Sequence, residues 1–126
     1  MRRRVSSGST YERDIGFSRA VRVGDRVWVS ATAAISPDGS VAPDARRQAE
    51  RCLEIVSAAL KEAGADLADV VRTRVYLVDA ADGPTVGEVH GRAFGDVRPA
   101  SGFIVVSGFL DPRWRVEIEA DAVVGG

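Results

Sequence analysis

The segment from Trp114 to Val123 constrains the fold more tightly than any other part of the chain. Trp114, Val116, Ile118, Ala120 and Ala122 alternate with Arg115, Glu117, Glu119 and Asp121. A period of two puts alternate side chains on opposite faces of a strand, so this one has a dry face and a charged face. Such a strand needs an apolar layer on one side only. Asp44 to Ala63 can supply it, because Ala45, Ala49, Cys52, Leu53, Val56, Ala59, Leu60 and Ala63 recur at the three- and four-residue spacing of one helical face. Pro43 and Asp44 suit the first turn of that helix, and Gly64 suits the left-handed residue beyond its end.

The other elements follow from similar patterns. Residues 1–14 are polar and read as a loose arm or an edge strand. Arg19 to Val23 and Arg26 to Ala31 flank Gly24-Asp25, which predicts a hairpin. Ser36-Pro37-Asp38-Gly39-Ser40 is a turn cluster. Val70 to Val78 reads as a strand with Val71, Thr73, Val75 and Leu77 on one face and Val70, Arg72, Arg74 and Tyr76 on the other. Asp82 is the expected cap of a second helix, on which Val86, Val89, His90, Ala93 and Phe94 share a face before Gly95. Phe103 to Val106 reads as a short buried strand.

The predicted order is β-β-α-β-α-β-β, an α+β chain forming a single domain over residues 1–126. One mixed sheet carries both helices on one face, and the unit after residue 70 suits a right-handed crossover. The opposite face then holds Arg72, Arg74, Tyr76, Arg115, Glu117 and Glu119. Two readings stay open for it. It is simply wet, with the charges forming a cross-strand ladder, or it closes against sister subunits around a polar cavity.

Composition excludes several classes. The 17 basic and 18 acidic residues give a net charge of -1, which argues against a nucleic-acid binder. No apolar run approaches the roughly 18 residues that span a bilayer. Arg2-Arg3-Arg4 is followed by a polar stretch rather than an apolar signal core, so a cytoplasmic protein is expected. Cys52 is the one cysteine and reads as core filler; His90 is the one histidine. No metal site and no cofactor-binding motif is expected from this residue set.

Four stretches, taken in order, resemble a known family. Val23-Gly24-Asp25-Arg26-Val27-Trp28-Val29-Ser30-Ala31 is similar to a V-G-x-x-V-F-V-S-G hairpin. Ala45 to Ala65 is similar to a helix ending L-x-x-A-G, and Asp69-Val70-Val71-Arg72-Thr73-Arg74-Val75-Tyr76-Leu77 to a D-V-V-K-x-x-V-F-L strand. Arg98-Pro99-Ala100 followed by Val116-Glu117-Ile118-Glu119-Ala120 resembles a P-A-R-S … V-E-I-E-A ending. These are features of the YjgF-type reactive-intermediate (Rid) deaminases, also known as L-PSP endoribonucleases. The resemblance implies a chorismate-mutase-like fold, a homotrimer with a central barrel, and pockets between neighbouring subunits. It also implies cofactor-free hydrolysis of enamines and imines.

The resemblance places Glu117 as the group that orients water or moves a proton. It places Phe17, Ser30, Gly87, Ser101, Gly102 and Phe103 around the substrate, with His90, Arg19 and Arg74 as further polar candidates. Several positions depart from the family. Ser101-Gly102 stands where the family carries its carboxylate-binding arginine, Gly87 where many deaminases carry asparagine, and Phe17 where they carry tyrosine. A hydroxyl offers no charge, so the pocket suits a ligand more neutral or larger than 2-aminoacrylate, unless another arginine such as Arg19 takes over the clamp. Two functions compete at this level: a cofactor-free enzyme with Glu117 as its acid/base group, and a non-catalytic trimer that binds a small ligand. RNA cleavage fits less well, since the chain lacks a basic, aromatic-rich surface.

Overall fold

The computed structural model describes residues 1–126. The elements run β1 (Arg2–Val5), α1 (Thr10–Ile15), β2 (Ala20–Val23), β3 (Arg26–Ala33), α2 (Ala45–Glu62), β4 (Val70–Leu77), α3 (Gly83–Phe94), β5 (Ala100–Val105) and β6 (Val116–Val123). The six strands form one sheet in the order β1-β2-β3-β6-β4-β5. All neighbours are antiparallel except β4 and β5, which are parallel and joined through α3. The chain is therefore α+β with a mixed sheet, as its patterns predict. No helix is long and apolar enough to cross a membrane.

The helix-covered face is dry. Val116, Ile118, Ala120 and Ala122 of β6 are all buried, and with Val27, Val29, Val75 and Leu77 they meet Ala49, Cys52, Leu53, Val56 and Leu60 of α2. Each fully buried Val or Leu contributes about 1.5–3 kcal/mol relative to an exposed one. The Asp44 side chain caps α2 by accepting from the Arg47 amide, and Gly64 takes the left-handed φ of 82°. Gln48 is fully buried, yet each of its polar groups is satisfied: Nε2 donates to the Ala42 and Arg113 carbonyls, and Oε1 accepts from the Arg115 amide. This side chain ties α2 to the entry of β6.

Several local expectations are corrected. Of the two readings for the N-terminal residues, the edge strand holds for residues 2–5, which pair with β2, whereas residues 10–15 form a short helix that hydrophobic periodicity does not signal. On β4 the register shifts between Val70 and Arg72, so Val70 is buried and Val71 exposed, the reverse of simple alternation. A similar shift on β3 between Val29 and Thr32 turns Thr32 into the core. Asp82 gives α3 no side-chain cap; its carboxylate instead holds Arg115, which is thereby withdrawn from the bare sheet face. The apolar strand at 103–106 is neither buried nor central. It runs Ala100–Val105 at the sheet edge, and every residue in it is exposed.

Candidate functional site

Glu117 lies on β6 opposite Ala33 of β3 and Tyr76 of β4. Its side chain borders a cavity of about 410 Å³ whose other walls include Phe17, Arg19, Thr32, Leu110 and Trp114. The carboxylate takes part in no ion pair or hydrogen bond within the chain. Burial pushes it above the usual carboxylate range; the Arg19 guanidinium pulls it partly back, and Glu119 adds to the rise. Such a group exchanges protons closer to neutral pH than an exposed glutamate does.

Arg19 is held firmly. It is buried, donates from Nε to Glu12 at 3.3 Å and from Nη1 to the Ala31 carbonyl at 2.8 Å and Thr32 Oγ1 at 3.1 Å, and lies 5.4 Å from the Phe17 ring centre. Glu12, on α1, is also buried. Burial pushes its carboxyl up, but hydrogen bonds from Ser7 and Ser6 and the Arg19 charge outweigh this and leave it below the usual range. The cavity wall also contains Trp114, whose buried indole N–H has no acceptor.

A second polar group lies on the helix-covered face. Thr73 on β4 and Ser101 on β5 are register partners, and their hydroxyl oxygens are 2.7 Å apart. Thr73 Oγ1 is also 2.8 Å from His90 Nε2 on α3. The His90 ring packs against Phe94 and Phe103, with centres 4.6 and 5.8 Å away. Burial lowers its pKa and so favours the neutral imidazole. Gly87, one turn earlier on α3, leaves room beside Phe103, since a Cβ there would lie 4.0 Å from the ring.

The predicted site residues thus fall into two groups rather than one. Glu117, Phe17 and Arg19 border the cavity beside α1. Ser101, Phe103, His90 and Gly87 cluster under α3, with Gly102 beside them at the exposed edge, opposite Arg74 in register. Ser30 belongs to neither group, because its hydroxyl donates to the Ser18 carbonyl. Arg74 binds Glu119 and Asp121 at 3.2 and 3.6 Å, so the charge ladder on the bare face passes Glu117 by. Sequence reasoning missed Glu12, Thr73 and the Trp114 indole. Only Thr73 carried a signal, a lone hydroxyl among the apolar residues of its strand face.

Comparison with known proteins fits this geometry. The family profile described as Endoribonuclease L-PSP matches residues 11–124. The crystal structure of Rv2704 from Mycobacterium tuberculosis, a member of the YjgF/YER057c/UK114 family, superposes with a TM-score of 0.91 at 44% identity, covering 98% of this chain and all of that one. The chain belongs to this family. Among other relatives, an uncharacterized Streptomyces coelicolor protein is 40% identical over 124 residues, 98% of this chain and 92% of that one. A rat protein named 2-iminobutanoate/2-iminopropanoate deaminase is 36% identical over 126 residues, 98% of this chain and 91% of that one.

Proposed function

We propose that this protein is a cofactor-free enzyme that hydrolyses a small imine or enamine in a pocket completed by neighbouring copies of the chain, with Glu117 as its acid/base group. The observation that carries the reading is Glu117 itself, a partly buried carboxyl at a cavity wall, raised toward neutrality and left without a partner. In imine hydrolysis a water oxygen bonds to the C=N carbon while Glu117 takes the water proton. Glu117 returns that proton to the nitrogen, giving a carbinolamine; it then takes the hydroxyl proton and delivers it to the amino nitrogen as the C–N bond breaks, so the carbonyl forms, ammonia leaves and Glu117 ends as it began. Both roles, base and then acid, are favoured by a carboxyl whose pKa burial raises toward the working pH. The relatives named 2-iminobutanoate/2-iminopropanoate deaminase support the reaction class.

Assembly as a homotrimer belongs to the same reading. The edge strand β5 exposes Phe103, Ile104 and Val105 at 40, 44 and 56%. An uncovered apolar edge of this kind is a surface for another chain. Ammonia release from 2-iminobutanoate, with sedimentation at about three times the 13.4 kDa of one chain, tests both parts. A monomer that releases no ammonia contradicts them.

A non-catalytic ligand-binding trimer is the second reading. Arg19 and Arg51, the guanidinium groups of the cavity wall, are already paired with Glu12 and Glu54. No free cation there awaits a substrate carboxylate. Saturable binding by calorimetry without chemical change favours this reading, and detection of a product excludes it.

A further inference from the structure

We propose that Ser101, Thr73 and His90 form a proton relay whose outer end, the Ser101 hydroxyl, meets an uncharged nitrogen or hydroxyl group of the ligand. This rests on the proposed acid/base reading but uses a different set of residues. Three elements supply one group each: β5 the Ser101 hydroxyl, β4 the Thr73 hydroxyl, and α3 the His90 imidazole. Consecutive heteroatoms are 2.7 and 2.8 Å apart, within hydrogen-bond range throughout. Thr73 is fully buried, so its hydroxyl has no water to turn to and is confined to these two partners. Ser101 is exposed on the edge strand, so the row runs from the protein interior to the surface.

The proton count balances. When Ser101 takes a proton from the ligand or from water, its own proton passes to Thr73, and the Thr73 proton passes to His90 Nε2. Both hydroxyls end as they began, and only the imidazole has gained a proton. The reverse transfer delivers one proton outward, as a departing nitrogen requires. Inward transfer needs an imidazole that is neutral and bare at Nε2. Burial favours the neutral form. Phe94 and Phe103 pack on the ring without competing for its nitrogens, and the nearest charges on its helix, Glu88 and Arg92, pair with each other. The ligand chemistry follows from Ser101, whose hydroxyl can donate or accept but carries no charge. It suits an imine nitrogen, an amine or an alcohol, and it cannot neutralise a carboxylate.

His90 is the only histidine, so its ring nitrogens give isolated NMR signals. At pH 8 the relay requires a pyridine-type Nε2 in the intact protein, with the proton on Nδ1. Thr73→Val removes the hydroxyl that bonds Nε2 in both charge states, more strongly when it accepts from the imidazolium, and should lower the His90 pKa further, while Thr73→Ser keeps the original value. A pyrrole-type Nε2 overturns the relay whether or not the protein is an enzyme. Turnover of 2-iminobutanoate supplies the second readout. Ser101→Ala and Thr73→Val should each lower kcat about tenfold or more without a matching rise in KM, the double variant should be no worse than either, and Thr73→Ser should recover most of the rate. Unchanged kcat in an active protein overturns the relay and spares the Glu117 proposal. An inactive original protein defeats the proposed reaction, and the nitrogen signals still decide the relay.

Discussion

Glu117 and Glu119 are two residues apart on β6 and point to the same side of the sheet, yet their surroundings differ completely. Glu119 accepts from Tyr76 Oη at 2.7 Å and from Arg74 at 3.2 Å. Glu117 has neither partner and borders a cavity beside a guanidinium already bound to Glu12. One carboxylate is therefore part of the sheet's structure, and the other is free to do chemistry. Alternation put both on the charged face, but only the neighbours contributed by α1, β3 and β4 separate their roles.

The largest effect should come from Glu117→Gln. If the free carboxyl moves the proton, turnover of 2-iminobutanoate falls roughly 10²–10⁴-fold, while circular dichroism and sedimentation stay unchanged. Full activity in this variant would remove the distinction between the two glutamates. Next is Arg19→Ala, which leaves the Glu12 charge buried without its partner. Urea unfolding should show a loss of about 3–5 kcal/mol, whereas a loss below 1 kcal/mol would mean that the pair does not hold the cavity wall. Glu119→Gln should cost less than about 1 kcal/mol, because the ion pair is partly exposed. The Tyr76 phenol, raised chiefly by its hydrogen bond to Glu119, should then titrate closer to its ordinary value in a UV titration.

The smallest effect is a pH trend with a definite sign. The folded-state pKa of Glu117 lies above its unfolded value, so the native protein holds that proton more tightly. Stability from this group is present below the unfolded pKa and is lost as pH rises through the folded one. Glu117→Gln should therefore match the original protein in acid and exceed its melting temperature above the folded pKa. An opposite trend would place Glu117 in an ion pair.

The helix-covered half of the molecule was legible in the sequence because it obeys period rules. The stripe on α2 and the alternation on β6 meet one another and need no distant information. The failures share a physical cause: each depended on a partner outside the local pattern. The six residues of α1 show no stripe, although Ser9 caps the helix by accepting from the Tyr11 amide, and its Glu12 is buried against Ser7 and Arg19, which lie outside the helix. The β5 strand is as apolar as a core strand, and its position at an open edge depends on topology alone. A one-residue shift at Val71 reversed the facing of Val70 and Val71 without any glycine or proline to signal it. The Thr73–His90 contact joins residues 17 apart, which no helix or strand period links.

The central claim is that Glu117 is an unpaired carboxyl that burial raises above the ordinary glutamate range, and its own titration tests this most directly. Carboxyl ¹³C shifts should be followed against pH in the original protein and in Glu117→Gln, so that the resonance missing from the variant is assigned to Glu117. The account predicts a midpoint clearly above the ordinary glutamate value of about 4.3. A midpoint at or below that value would show a carboxylate stabilised in its charged form, and the acid/base role assigned to Glu117 would be contradicted.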